Sequence, residues 1–155
     1  MKRVNLTSND TNILMDTNYT NLRNSSTDKI NKLIFPELSY SIVSLCFDIH
    51  NELGRFAREK QYGDALEKAL RKQKISYRRE FRAENTGNIL DFIIENKLIL
   101  ELKAKRFILK EDYYQVQRYL QTTSIKLGLL INFRNRFLKP IRVIRLDTDA
   151  RRKFV

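Results

Sequence analysis

The stretch ILDFIIENKLILELKA, residues 89–104, contains two apolar runs separated by the polar tripeptide Glu95-Asn96-Lys97. Each run is short and rich in isoleucine, leucine and phenylalanine, which favours a β-strand over a helix. A polar connection of a few residues between two such runs is typical of a β-hairpin. The stretch therefore predicts two antiparallel strands, residues 89–95 and 98–104, and these strands decide the fold class.

Three charged residues interrupt the apolar strands: Asp91 in the first, and Glu101 and Lys103 in the second. Because side chains alternate between the two faces of a strand, Glu101 and Lys103 share one face. With a loop of residues 95–97, Asp91 lies opposite Glu101 and on that face. A two-residue loop would instead pair Asp91 with Leu102 and turn its carboxylate away. We therefore expect an odd-length loop or a bulge between the strands.

Two carboxylates on one face repel each other and resist removal from water unless a cation joins them. The ammonium of Lys103 can neutralise part of that charge. A divalent metal neutralises more of it, and Mg²⁺ prefers carboxylate oxygens together with retained water molecules. The alternative is a solvent-exposed polar face on which Glu101 and Lys103 form an ordinary ion pair.

The remaining elements follow from the spacing of apolar residues. Helical spacing predicts three helices, at residues 38–53, 57–73 and 111–121. We expect Ser39 or Ser41 to cap the first helix and Gly54 to end it. Further strands, the first of them near a sheet edge, are predicted at residues 75–84, 126–133 and 141–146. The order α-α-β-β-β-α-β-β predicts an α/β fold in which a mixed β-sheet is flanked by helices.

The chain divides by composition into three segments. Residues 1–34 are rich in Asn, Ser and Thr and show no sustained period, which predicts a flexible tail. Residues 35–148 carry the periodic apolar pattern and are long enough to form one hydrophobic core. Residues 149–155 form a basic C-terminal tail.

Cys46 is the only cysteine of the chain, which excludes an internal disulfide and indicates a reducing, cytoplasmic location. It occupies an apolar position of the first predicted helix, so we expect a core residue rather than a catalytic thiol. The N-terminus lacks the apolar segment of a signal peptide. No apolar run approaches the roughly 20 residues that span a bilayer.

Thirty basic residues against eighteen acidic ones give the chain a net charge of +12. Such a surplus favours a polyanionic partner, either nucleic acid or an anionic membrane surface. No long amphipathic basic helix is predicted, so nucleic acid is favoured and no membrane partner is expected. The candidate contacts to phosphate are Arg106, Lys110, Arg118, Arg134, Arg136, Arg142 and Arg145.

Asp91 followed, after a hairpin, by Glu101-Leu102-Lys103 resembles the D-(x)n-E-x-K signature of the PD-(D/E)XK nuclease superfamily. The flanking sequence extends the similarity. HNELGRFAREKQYGDALEKAL (residues 50–70), ILELKA, YYQVQRYL and KLGLLINF together resemble the GxxExxY family of small PD-(D/E)XK-like proteins. The similarity covers roughly residues 38–143 and keeps the order of every block. It implies a restriction-endonuclease-like fold.

The resemblance departs from the family pattern at the entry to the second helix. Glu59 and Tyr62 match the Glu and Tyr of the GxxExxY motif after which the family is named, whereas Phe56 occupies the position of its glycine. Gly54 matches a preceding glycine. We expect this departure to reshape the loop before the helix and to leave the acidic position intact.

Two further positions complete the comparison with the family. Ile89-Leu90 replaces the proline-type lead-in to Asp91, and Gln115 and Tyr119 match a Gln-x-x-x-Tyr on the helix after the lysine strand. The i, i+4 spacing places Gln115 and Tyr119 on one helical face. For Tyr119, as for Tyr62, packing in an aromatic core is an equal alternative.

The resemblance implies a metal-dependent nuclease that hydrolyses phosphodiester bonds with Mg²⁺ or Mn²⁺ as its cofactor. The implied metal ligands are Asp91, Glu101 and Glu59. Lys103 would orient the attacking water or stabilise charge on the phosphorus. The implied catalytic residues are Lys103, Glu101, Asp91, Gln115 and Tyr119.

The expected partner is nucleic acid, with DNA favoured, and no base specificity is predicted because no base-reading helix or zinc finger is evident. The main alternative is a catalytically silent nucleic-acid-binding module of the same fold. Intact acidic and lysine positions favour the nuclease, since a pure binder would gain affinity by losing carboxylates near phosphate. A third hypothesis is a toxin-like or regulatory protein whose target depends on a partner. A homodimer is left open.

Overall fold

The computed structural model describes residues 34–82, 87 and 89–147. The predicted tails, residues 1–34 and 149–155, lie outside this part of the chain except for Ile34. The predicted order of elements is confirmed. The helices are α1 (Pro36–Leu53), α2 (Glu59–Lys72) and α3 (Lys110–Thr123), and the strands are β1 (Tyr77–Arg82), β2 (Ile89–Ile94), β3 (Leu98–Lys103), β4 (Leu127–Asn132) and β5 (Ile141–Ile144).

The five strands form one mixed sheet in the order β1-β2-β3-β4-β5. Only β3 and β4 run parallel, and α3 makes the crossover connection that parallel neighbours require. The other neighbours pair antiparallel. The predicted α/β fold with a mixed sheet is therefore confirmed, and β1 lies at a sheet edge as expected.

The start of α1 differs from the prediction, and its end agrees with it. The helix begins at Pro36, whose fixed φ angle suits a first helical position, so the prediction of Ser39 or Ser41 as N-cap is wrong. Ser39 is instead buried inside the first turn, where its Oγ donates to the Phe35 carbonyl at 2.8 Å. The helix ends as predicted at Gly54, whose φ of 69° is a conformation that favours glycine.

The hairpin between β2 and β3 has the predicted three-residue loop. Ile94 pairs with Leu98, so Glu95, Asn96 and Lys97 make the turn. Glu95 and Asn96 both have positive φ angles, 49° and 54°, which turn the chain sharply. The same register, continued along the strands, places Asp91 opposite Glu101.

Strand β1 changes the faces of its side chains at Glu80. Arg79 forms an ion pair with Asp64 of α2, on one side of the sheet. Phe81, two residues further on, packs against the hydrophobic cluster that includes Val116 of α3. Residues two apart on a regular strand share a face. The positive φ of Glu80, 52°, marks the position where this alternation breaks.

Strand β2 changes faces at the neighbouring position, Asp91. Phe92 lies beneath the guanidinium of Arg79, on the α2 side, whereas Leu90 belongs to the cluster that packs on α3. The β1–β2 ladder skips the pair between Glu80 and Asp91. The hairpin register is thus confirmed, but the strict alternation from which we derived a face for Asp91 is wrong at this residue.

Close packing of α3 on the sheet depends on Gly128 in β4. A Cβ atom there would lie 2.6 Å from Cγ1 of Val116 and 3.6 Å from Cδ1 of Leu120. Cys46 is fully buried in α1, as expected, and its burial raises the pKa of the thiol to about 12. In the residues that the structure describes, no helix is long and apolar enough to cross a membrane.

Candidate active site

Asp91 occupies the gap in which the ladder between β2 and β3 ends. The paired residues stop at Phe92 and Leu100, and beyond them the Asp91 carboxylate accepts the backbone N–H of Leu102 at 2.7 Å. Burial raises the pKa of Asp91 to about 6, and the charge of Glu59 adds to that shift. The Leu102 N–H and the charges of Lys103 and Arg79 act in the opposite direction. Asp91 is therefore a carboxyl group of unusually high proton affinity, held in the plane of the sheet.

Glu101 is the most deeply buried carboxylate of the site, with 2% of its surface exposed. Its Oε1 accepts a hydrogen bond from Nζ of Lys103 at 2.6 Å. Its Oε2 is buried and has no hydrogen-bond partner. Burial, followed by the nearby Asp91, raises the pKa of Glu101 to about 7. The charge of Asp91, which the hairpin register places opposite Glu101, thus acts on the Glu101 carboxylate.

Lys103 begins a chain of hydrogen bonds that leads to α3. Its Nζ also donates to Oε1 of Gln115 at 3.1 Å, and the Gln115 amide donates to the hydroxyl of Tyr119 at 2.8 Å. Tyr119 is buried and donates in turn to the carbonyl of Ile89 at 2.9 Å. Burial, the largest single effect, lowers the pKa of Lys103, but the charge and hydrogen bond of Glu101 together with the charges of Glu59 and Asp91 outweigh it, so the net shift is upward. Lys103 is therefore held as a cation.

Glu59, the expected third acidic residue, lies at the exposed first position of α2. It lines a cavity of about 240 Å³ that is also lined by Asp91, Leu102 and Arg79. The charge of Glu59 reaches both Asp91 and Lys103, whose pKa values it raises. The helix therefore brings Glu59 towards Asp91 from the α2 side of the sheet.

Tyr62, which we matched to the Tyr of the GxxExxY motif, is buried and packs in the interior of the protein. Its ring stacks on Phe133 with centroids 4.2 Å apart. Its hydroxyl donates to the Gly54 carbonyl at 2.6 Å and accepts the N–H of Ala57 at 3.2 Å. Tyr62 thus fixes the loop between α1 and α2, in agreement with the core alternative.

The donor set fits a metal ion that keeps much of its water. Asp91 and Glu101 offer hard carboxylate oxygens, and the buried, unpartnered Oε2 of Glu101 is an acceptor that lacks a donor. Within the described part of the chain, no three His, Cys, Asp or Glu side chains lie close enough together to hold one ion. The assignment of Glu59 as a ligand therefore stays a prediction.

A family model described as the PD-(D/E)XK nuclease superfamily matches residues 36–144. This match covers well over half of the 155 residues. The chain belongs to the PD-(D/E)XK nuclease superfamily. Neither a curated protein nor a solved structure gives a significant match. Asp91, Glu101 and Lys103 lie within the matched range, and their roles stay predictions.

This PD-(D/E)XK protein carries a second, larger cavity just beyond Lys103. Its volume is about 580 Å³, and three of the predicted phosphate contacts, Arg106, Arg134 and Arg136, line it. Two others are exposed on α3 and do not line this cavity: Lys110 and Arg118. The predicted contacts are therefore divided between two surfaces.

The last two arginines of the prediction have partners of their own. Arg142 is buried, and its Nη2 donates to the Ile34 carbonyl at 2.9 Å. Arg145 forms an ion pair with Asp147 at 2.8 Å and donates to the carbonyl of Ser124. Their side chains hold the ends of the described domain.

Sequence reasoning missed Asn132, the last residue of β4. Its side-chain amide donates to the Lys105 carbonyl at 2.7 Å and accepts the Lys105 N–H at 3.2 Å. It is buried, so both polar ends of the amide are used inside the protein. The available signal in the sequence is one amide side chain, Asn132, within the otherwise apolar run of residues 127–133. Asn132 positions the chain directly after Lys103.

Proposed function

We propose that this PD-(D/E)XK protein is a metal-dependent nuclease of the GxxExxY type that hydrolyses phosphodiester bonds, with DNA as the favoured substrate. One observation carries the proposal. The buried Glu101 accepts a hydrogen bond from Lys103 and is close enough to Asp91 for the charge of Asp91 to raise its pKa, yet its Oε2 has no hydrogen-bond partner. Burying two carboxylates and an ammonium costs free energy that a purely structural strand has no reason to spend. Such a cost is typical of a catalytic site.

Asp91 and Glu101 would hold the metal, Mg²⁺ or Mn²⁺, with Glu59 as the candidate third ligand. A divalent ion bound there lowers the pKa of a coordinated water and offsets negative charge on the phosphate. Asp91 is fixed for this role by the Leu102 N–H, and Glu101 by Lys103. The protein therefore supplies prearranged oxygen ligands on a rigid sheet.

Lys103 would place its positive charge where negative charge develops on the phosphate. Its ammonium donates to both Glu101 and Gln115, so its direction is fixed from two sides. Gln115 is positioned in turn by Tyr119. Because a charge that is already oriented needs no reorganisation during the reaction, this arrangement favours the transition state over the bound substrate.

The alternative is a catalytically silent nucleic-acid-binding module. It is supported by the lack of a three-ligand cluster among the described residues and by the basic cavity next to Lys103. A module of this kind binds through phosphate contacts and has no need of a metal. We also propose a reducing, cytoplasmic setting for the protein, since its only thiol is buried and unpaired.

The test is a cleavage assay with supercoiled, linear and single-stranded DNA and with RNA, in Mg²⁺, Mn²⁺ or EDTA. Lys103→Ala and Asp91→Asn are compared with Lys97→Ala, which removes an exposed lysine from the hairpin loop. We expect cleavage that requires metal, falls about 100-fold or more in the two site variants, and is unchanged in the control.

Metal binding is measured separately by thermal unfolding, because an ion that binds only the folded protein stabilises it. Mn²⁺ should raise the melting temperature of the wild type and have a much smaller effect on Asp91→Asn and Glu101→Gln. Glu59→Gln shows whether the third carboxylate takes part. Salt-sensitive binding with neither cleavage nor stabilisation by metal would establish the silent module instead.

A further inference from the structure

The cavity next to Lys103 has a charge that its own surroundings do not balance. Five cationic residues line it together with Phe56, Ala104 and Asn135: Arg55, Lys105, Arg106, Arg134 and Arg136. Lys105 is paired with Asp112 at 2.5 Å. None of the four arginines has an ion-pair partner in residues 34–82, 87 and 89–147. No carboxylate is among its lining residues. Like charges gathered in this way indicate an anionic ligand.

The cavity also presents an aromatic ring to solvent. Phe56 is 70% exposed, and the guanidinium carbons of Arg55 and Arg134 lie 4.7 Å and 5.5 Å from its ring centroid. Most of the Phe56 side chain is thus exposed to solvent, in contact with cationic groups. Nucleic-acid bases stack on such rings and on guanidinium planes, and they do so only when they are unpaired.

The three chain segments that form the cavity are fixed from inside the protein. Tyr62 bonds to both ends of the loop that carries Arg55 and Phe56. Asn132 bonds to the backbone of Lys105 through both ends of its amide. His50 Nε2 lies 2.9 Å from the Asn135 carbonyl. Because the walls are held in place, a ligand does not have to order them.

We propose that this cavity binds an unpaired nucleotide, with its base on Phe56 and its flanking phosphates on the surrounding arginines. The volume of about 580 Å³ suits a ligand of nucleotide size. Ala104, at the cavity wall, directly follows Lys103, so a nucleic-acid strand bound in the cavity would lead to the active site. The inference rests on the proposed nucleic-acid substrate and deepens it, because it selects single strands, frayed ends or flaps over continuous duplex.

The guanidinium of Arg134 is fixed at the cavity wall. Its Nη2 donates to the Ala104 carbonyl at 3.2 Å, and its Nε is buried and has no hydrogen-bond partner. A phosphate in the cavity would therefore meet the remaining N–H groups of a guanidinium that the protein already orients.

The experiment measures binding alone, in EDTA, by fluorescence anisotropy. The probes are a labelled oligothymidylate of about 12 nucleotides and a blunt duplex of equal length. Phe56→Leu keeps an apolar side chain and removes the aromatic face. Phe137→Ala is the matched control, because Phe137 is 69% exposed and lies under Arg136 but does not line the cavity.

We expect the single strand to bind more tightly than the duplex, and Phe56→Leu to weaken single-strand binding roughly tenfold. The affinity of Phe56→Leu for the duplex should change less than about twofold, and Phe137→Ala should change the affinity for neither probe. Arg134→Gln should weaken binding and lower its dependence on salt. An unchanged affinity of Phe56→Leu for the single strand, or equal losses on both probes, would overturn the inference, as would a wild type that prefers duplex.

Failure of this inference and failure of the proposed nuclease are distinguishable. Single-strand binding that depends on Phe56 in a protein that cleaves nothing would overturn the nuclease and retain the cavity's role. Cleavage that depends on Lys103, together with single-strand binding that does not depend on Phe56, would support the nuclease and overturn the proposed role of the cavity. Circular dichroism of each variant checks that the fold is intact. We expect an intact fold for Phe56→Leu because Phe56 is exposed.

Discussion

At the scale of single residues, the decisive feature is the shared burial of Asp91 and Glu101. The pKa values of both carboxyls are raised, chiefly because burial disfavours their charged forms. The charge of Asp91 adds to the shift of Glu101, and the charge of Glu59 adds to the shift of Asp91. Lys103 offsets only part of that cost. In a protein without metal, the pair is therefore destabilising when it is ionised.

The first prediction concerns stability against pH in EDTA. Since the folded-state pKa of Glu101 is raised to about 7, its favourable contribution is present at low pH and is lost as the pH rises through that value. The free energy of unfolding of the wild type, minus that of Glu101→Gln, should therefore fall by about 1–3 kcal/mol between about pH 5 and about pH 8. Urea denaturation at each pH measures it.

The control for this prediction is Glu95→Gln, which changes an exposed glutamate of the hairpin loop. Its difference from the wild type should stay nearly constant over the same pH range. A constant difference for Glu101→Gln as well would show that burial does not raise the proton affinity of this carboxyl.

At the scale of elements, two glycines lie where α3 and α2 pack on the sheet, and a side chain at each would meet a different kind of neighbour. A Cβ on Gly128 would meet the side chain of Val116 at 2.6 Å, between a helix and a strand. A Cβ on Gly63 would meet Nη2 of Arg79 at 2.9 Å, the far end of a flexible side chain. The two sites thus differ in how readily the neighbour can move.

The second prediction compares Gly128→Ala with Gly63→Ala. Gly128→Ala should destabilise the protein by about 1–3 kcal/mol, because α3 cannot withdraw without losing other contacts. Gly63→Ala should cost less or even stabilise, since alanine favours a helix interior over glycine by about 1 kcal/mol. Chemical denaturation of both variants gives the order. A larger loss for Gly63→Ala would contradict this account of the packing.

The elements show where sequence reasoning succeeds and where it stops. The hairpin, its loop and its register follow from residues that are close in sequence, and they were predicted. The change of face at Asp91 occurs beside Glu80 of the neighbouring strand, whose φ is positive. A positive φ is uncommon for glutamate, and no residue pattern in the sequence indicates it.

At the scale of the whole molecule, Cys46 reports on the opening of the core. It is the chain's only cysteine, it is fully buried in α1, and burial raises the pKa of its thiol to about 12. Reaction with an alkylating reagent requires both access and a thiolate. The folded protein supplies neither at neutral pH.

The third prediction follows for alkylation of Cys46 by iodoacetamide. The native protein should react at least about 100-fold more slowly than the unfolded chain, and the rate should rise with denaturant in parallel with unfolding. Mass spectrometry reads the modification without ambiguity, since one thiol gives one adduct. Rapid alkylation in native buffer would mean that the region around α1 opens without global unfolding.

The larger cavity could not be predicted from the sequence. Its lining comes from three segments that are far apart along the chain, around residues 55, 105 and 135. Arg106, Arg134 and Arg136 were chosen as phosphate contacts from charge alone, and nothing in the pattern joined them to Phe56. Arg106 lies near Arg134 and Arg136 because β3 and β4 run parallel and end side by side.

Tyr62, Asn132 and His50 have a consequence for protein engineering. They fix the three loops from inside the protein, and four lining residues are exposed: Arg55, Phe56, Arg106 and Arg136. These four side chains can therefore be exchanged at little cost in stability. A library randomised at these positions, with the three anchors kept, should contain many folded members with altered ligand preference.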